Sequence, residues 1–225
     1  MSYLRQLRAV VWKDLVVELR TRERLLATGS FVVLTGLLFN YAVDRTLVRP
    51  QDIAAGLTWM TIVFSALLAV GRTFQLEAQD DAFQGVLLSP IPRDALFFGK
   101  VLSNYAIVLV VILLVMAVFG LFFALDWGQH PFVLVGTLAL GGLGFVAIGT
   151  LFSAVSSGTA IGQTLLPVLL FPLLVPVVIY GTSATGRLLL GRPLAEVEGN
   201  LRILGGFALV ALAAGATLFR YVVED

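Results

Sequence analysis

The sequence predicts an all-α, polytopic membrane protein with six transmembrane helices and both termini in the cytosol. Three observations predict it. Of the 225 residues, 59% are hydrophobic, above the roughly 45–50% of soluble domains. Six apolar runs each approach the ~20 residues needed to cross ~30 Å of hydrocarbon. Lys and Arg are shared unevenly between the segments that separate those runs, which sets orientation.

Residues 1–24 carry six basic side chains, Arg5, Arg8, Lys13, Arg20, Arg22 and Arg24, against Asp14, Glu18 and Glu23. Leu4, Leu7, Val11, Leu15 and Leu19 recur near helical spacing, with Trp12 beside them. Arg8 and Glu18 fall within the same arc. One reading is a helix lying in the cytosolic headgroup layer with its Arg stems snorkelling. The other is a solvated basic tail. No cleavable signal is expected, because 24 charged-rich residues precede the first apolar run and no small-x-small site follows it.

The spans are expected near Leu25–Val43, Ile53–Val70, Val101–Leu125, Pro131–Val155, Leu165–Thr182 and Ile203–Phe219, the second and sixth being short. With the N-terminus inside, ten basic residues face the cytosol and five (Arg45, Arg49, Arg187, Arg192, Arg202) face outwards. That excess fixes the orientation. The fourth span is rich in glycine (Gly136, Gly141, Gly142, Gly144, Gly149), which suits close helix approach in lipid. The link Ser153–Gln163 reads as a tight turn. The fifth span carries Pro167, Pro172 and Pro176, each of which frees a backbone carbonyl, so a bent element is expected. Ser183–Arg202 reads as an outer loop, either with a short helix dipping into the leaflet or without one.

The longest polar interruption is the cytosolic segment Arg72–Lys100. Asp80 and Asp81 suit the first turn of a short helix. Phe83 and Leu87 are four apart and share a face. Pro90 and Pro92 stop that helix, and Arg93 opens the next. Such an element at the water-facing end of two spans can be pushed from the cytosol. The expected contact set is Glu77, Asp80, Asp81, Phe83, Gly85, Leu87, Pro90 and Pro92, with Glu77 orienting the loop. The whole chain, 1–225, is thus expected to form one permease domain: an interfacial helix (1–24), a coupling segment (72–100) and an outer loop (183–202).

Several chemistries are excluded. There is no cysteine, hence no disulfide, thiol nucleophile or cysteine metal site. A net charge of +1 gives no nucleic-acid signal. No phosphate-cradling G-x-x-x-x-G-K-[ST] loop occurs. No ionisable residue falls mid-span, which argues against an ion-coupled transporter. Asn40, Asn104 and Gln163 read as packing or capping groups. The single histidine, His130, lies with Trp127 in the outer loop Asp126–Pro131. It reads either as a haem contact or as a member of the interfacial aromatic belt.

Three stretches together resemble the haem exporter protein B (CcmB) family. They are Lys13–Glu23; Arg72–Lys100, with Phe74, Glu77, Leu87-Leu88-Ser89-Pro90, Leu96-Phe97-Phe98-Gly99-Lys100 and the following Asn104; and Leu165–Pro176. The resemblance implies an ABC-2-type permease of the bacterial inner membrane. It implies an ATP-binding subunit on the cytosolic face, where ATP and Mg would bind. It implies a tryptophan-rich haem-handling membrane partner, a small single-span subunit and a periplasmic haem chaperone, in a complex for cytochrome c biogenesis. The activity implied is haem export or ATP-driven release of the haem-loaded chaperone. With one histidine and no tryptophan-rich motif, release is the expected reading, with no cofactor bound by this chain itself. A permease for a lipid, glycan or drug, and a scaffold without energy coupling, are the competing classes. A membrane enzyme is not expected.

Overall fold

A computed structural model describes residues 3–44, 46–74, 91–156 and 160–224, excluding the side chains of 160–165 and 223–224. Among these residues there are seven helices and no strand: α1 (Tyr3–Thr21), α2 (Glu23–Ala42), α3 (Pro50–Gly71), α4 (Arg93–Phe123), α5 (Pro131–Ser156), α6 (Ala160–Leu189) and α7 (Leu194–Glu224). Six of them, α2 to α7, are long and apolar enough to cross a membrane. An even number of crossings returns both ends of the chain to one side.

Helix ends follow local chemistry. Pro50 opens α3 at a position where its missing N–H is no loss. Pro92, extended at ψ 139°, precedes α4. At 31 residues α4 is about 46 Å long, well beyond the ~30 Å hydrocarbon layer. Its first turns, Arg93–Lys100, hold all of its charged residues, Arg93, Asp94 and Lys100. α1 and α2 meet at a single residue, Arg22, whose φ of 54° lies in the left-handed region. Its N–H donates to the Glu18 carbonyl at 2.6 Å.

The expected spans are present with shifted ends. The sixth is not short: α7 has 31 residues. The expected outer loop Ser183–Arg202 is mostly helix, since α6 runs through Leu189 and α7 begins at Leu194. The leucines Leu188 and Leu189 end α6, and no separate dipping helix forms among the described residues; Gly191 and Pro193 follow them. They form the turn itself, with Gly191 at φ 66°. The link Ser153–Gln163 is likewise helical on both sides of residues 157–159, which lie outside the described residues. All three prolines of the fifth span sit inside α6 without ending it. Pro172 is exposed, and Pro167 and Pro176 are half-buried.

α5 is central, packed on α3, α4, α6 and α7. Its glycines make this possible. A Cβ on Gly141 would meet the Trp59 ring at 2.3 Å, on Gly144 the Phe207 ring at 2.7 Å, and on Gly149 Val70 at 3.0 Å. Gly136 has nothing near it, so it is not a packing glycine. Trp59 of α3 is also laid against Gly181 of α6, and its indole N–H donates to the Thr185 hydroxyl at 2.9 Å. One ring thus keys three helices together.

Candidate functional site

The site is built where the segment Arg72–Lys100 enters and leaves the bundle. Residues 75–90 lie outside the described residues, and with them Glu77, Asp80, Asp81, Phe83, Gly85, Leu87 and Pro90. Pro92 is described and stands directly before α4. Both roots of the segment, Arg72–Phe74 and Ile91–Lys100, are held firmly.

Aromatic packing supplies the first hold. Phe74 and Phe97 are 1% and 0% exposed, and both stack on Phe219 of α7, with ring centroids 6.3 and 5.5 Å away. Phe97 fills the space left by Gly215, where a Cβ would come within 2.2 Å of the ring. Each root therefore leans on the same helix.

Buried charges supply the second hold. Lys100, only 2% exposed, reaches Asp14 of α1, with Nζ 3.2 and 3.3 Å from the two carboxylate oxygens. Its ammonium also lies 5.2 Å from the Phe74 ring centroid. Lys13 shares Asp14 from the exposed side, at 3.2 Å. Gly99 lets α1 come this close, since a Cβ there would meet Val10 at 2.7 Å. At the far end of α1, Tyr3 hydrogen-bonds Asp94; burial and that carboxylate push the Tyr3 hydroxyl pKa up. Arg72 pairs with Glu23 at the exposed edge.

Glu18 and Arg24 form the third hold. Glu18 is 3% exposed and accepts from Arg24 Nε at 2.6 Å and from the Leu25 N–H at 3.0 Å. Arg24 also donates to Asn104 Oδ1 at 3.0 Å. The Asn104 amide nitrogen donates to the Thr73 and Thr150 hydroxyls, each at 3.0 Å. Burying charge is costly unless partners and further hydrogen bonds compensate. Here each charge has both.

The face of α1 that meets the bundle overlaps the leucine stripe only in part, Leu7, Val11 and Leu15 being half-buried. It runs through Leu7, Val10, Asp14 and Glu18, while Leu4, Trp12 and Leu19 are 74%, 68% and 65% exposed. Glu18 was the irregularity in the sequence pattern, and its burial beside Arg24 explains it. Lys100 reads in sequence as a span boundary and Asn104 as a packing group; neither signals the network. Asp14 and Glu18, four apart on a helix with buried neighbours, were the legible trace of it.

At the opposite end, the Trp127 indole rests on Gly120, 3.0 Å from where a Cβ would be, and the His130 carbonyl accepts from the Leu134 N–H at 3.0 Å. Among the described residues no group of three or more His, Asp or Glu side chains could hold a metal ion.

The profile of the family described as "CcmB protein" matches residues 5–221. Curated relatives of similar length include heme exporter protein B of Paracoccus denitrificans, 28% identical over 92% of this chain and 93% of that protein. Heme exporter protein B of Shigella flexneri is 31% identical, over 92% of each chain. The protein of that name from Escherichia coli K12 is 30% identical, also over 92% of each.

Proposed function

The chain belongs to the CcmB family, matched over residues 5–221, and from that premise we propose that it is the membrane permease subunit of an ABC complex for cytochrome c biogenesis. In this reading the chain does no chemistry. A separate ATP-binding subunit hydrolyses ATP on the cytosolic side. The complex exports haem or, as we favour, releases the haem-loaded periplasmic chaperone, with a haem-handling membrane partner and a small single-span subunit alongside. The location is the bacterial inner membrane, with the N- and C-termini inside.

The observation that carries the coupling is the seat of the cytosolic segment. Its roots meet α1 through the buried Lys100–Asp14 pair, α2 through the exposed Arg72–Glu23 pair and α7 through the packed rings of Phe74, Phe97 and Phe219. A push on residues 75–90 is therefore delivered to rigid elements rather than absorbed. The expected contact residues are Phe83 and Leu87 as the apolar knob, Asp80 and Asp81 at the start of the short helix, Gly85 within it, Glu77 orienting the loop, and Pro90 and Pro92 stiffening the exit. The proline-bearing α6 is the element against which the second and third spans, α3 and α4, shift.

Phe83→Asp or Leu87→Asp is expected to lower copurification of the ATP-binding subunit about tenfold, the usual effect of losing one buried anchor, while membrane insertion is unchanged. Normal copurification in both variants refutes the assignment. Failure of the parent chain to alter the partner's ATP hydrolysis refutes energy coupling altogether.

A further inference from the structure

We propose that Asn104 is a positioning residue: its amide passes displacement of the cytosolic segment to the transmembrane helices. The inference rests on the coupling reading above and names the residue through which that coupling runs.

Asn104 is 1% exposed and its amide is engaged on both sides. A guanidinium can only donate, so the amide oxygen must face Arg24. The NH2 group must then face Thr73 and Thr150. Thr73 donates its own hydroxyl hydrogen to the Val70 carbonyl at 2.6 Å, which leaves its lone pairs to accept from Asn104. The polarity is thus fixed from Glu18 through Arg24 and Asn104 to Thr73, and reversing the amide would break it.

The place of each partner gives the wiring its meaning. Thr73 lies just beyond α3 in the segment's first root, next to Phe74, the last described residue before 75–90. Thr150 lies in α5, the central helix. Arg24 is in α2 and is held by Glu18 from α1. Asn104 itself is one turn along α4 from Lys100. A movement of the segment's first root therefore reaches Asn104 within one hydrogen bond and α5 within two.

Directionality makes this a switch rather than a glue. Apolar packing at the same point would hold the helices together but let Thr73 slide, because it is non-directional. A buried hydrogen bond with no water to replace it is either made or broken. Two discrete arrangements are what coupling between distant sites requires.

The test uses the chain in complex with its ATP-binding subunit in lipid nanodiscs. The chain has no cysteine, so Gln129→Cys in the exposed outer loop gives a single reporter. In the parent, ATP is expected to change the labelling rate of that cysteine. In Asn104→Leu and in the near-isosteric Thr73→Val, ATP hydrolysis should stay within about twofold. The ATP-induced change in labelling should fall about tenfold, the scale of one lost buried hydrogen bond. Thr73→Ser, which keeps the hydroxyl, should restore it. A full labelling response in Thr73→Val, or a parallel loss of hydrolysis and response, overturns the inference and leaves the coupling reading standing. A parent whose reporter ignores ATP overturns both.

Discussion

Asp14→Ala should destabilise the protein by about 3 kcal/mol and detach α1 from the bundle. Lys100 is almost fully enclosed, and both Asp14 oxygens lie within 3.3 Å of its ammonium. Removing the carboxylate takes away the counter-ion that holds that charge with both oxygens. The Phe74 face, 5.2 Å away, contributes ~0.5–2 kcal/mol of cation–π attraction. The predicted signs are an earlier thermal transition in detergent and faster proteolysis at the Arg22 corner. Asp14→Ala combined with Lys100→Met should recover most of the loss, because replacing both members of a buried pair by apolar groups is near neutral. A single variant as stable as the parent would mean that water reaches the pair.

Gly181→Val should cost a similar amount, about 3 kcal/mol, by overpacking instead of by charge. A Cβ on Gly181 would fall 2.3, 2.5 and 2.7 Å from three atoms of the Trp59 ring. That ring cannot retreat. Gly141 packs against it too, a Cβ there falling 2.3 Å from the ring, and the indole N–H is tied to Thr185. α6 must therefore move away from α3, and the Trp59–Thr185 bond breaks. The expected readouts are a lowered melting transition and altered indole fluorescence. Trp59→Ala in the same chain should return part of the stability by vacating the slot. Gly136→Val, where no neighbour lies within 4 Å, is the matched control and should be silent.

The six crossings were legible because hydropathy alone specifies them. Their ends were not, because helices continue past the apolar layer wherever other helices cover them. The first turns of α4 and the last turns of α6 are the examples: Arg93–Lys100 and Ser183–Leu189 are polar or mixed in sequence, yet helical. The glycines of α5 were readable as a class, but only the coordinates tell Gly141, against Trp59, from Gly136, against nothing. The buried polar network was the least legible part. Pairs such as Arg24 with Asn104, 80 positions apart, leave no local pattern. Its trace was Glu18, a charge on what looked like an apolar stripe, with Asp14 one turn before it. Pro167, Pro172 and Pro176 pointed to a bent span, and α6 carries all three without a break in helix, as neighbouring helices in lipid permit.

The one-residue joint at Arg22 has a consequence for how the bilayer acts on this protein. An L-residue held at φ 54° is strained by about 1 kcal/mol or more, and a joint that short has no slack. In the reading that lays α1 in the headgroup layer, its tilt is passed to α2 as torque. Leu4, Trp12 and Leu19 give that layer something to grip. Surface pressure and headgroup charge thereby become mechanical inputs, so the same chain should work differently in membranes of different lipid composition, with no lipid bound in any pocket.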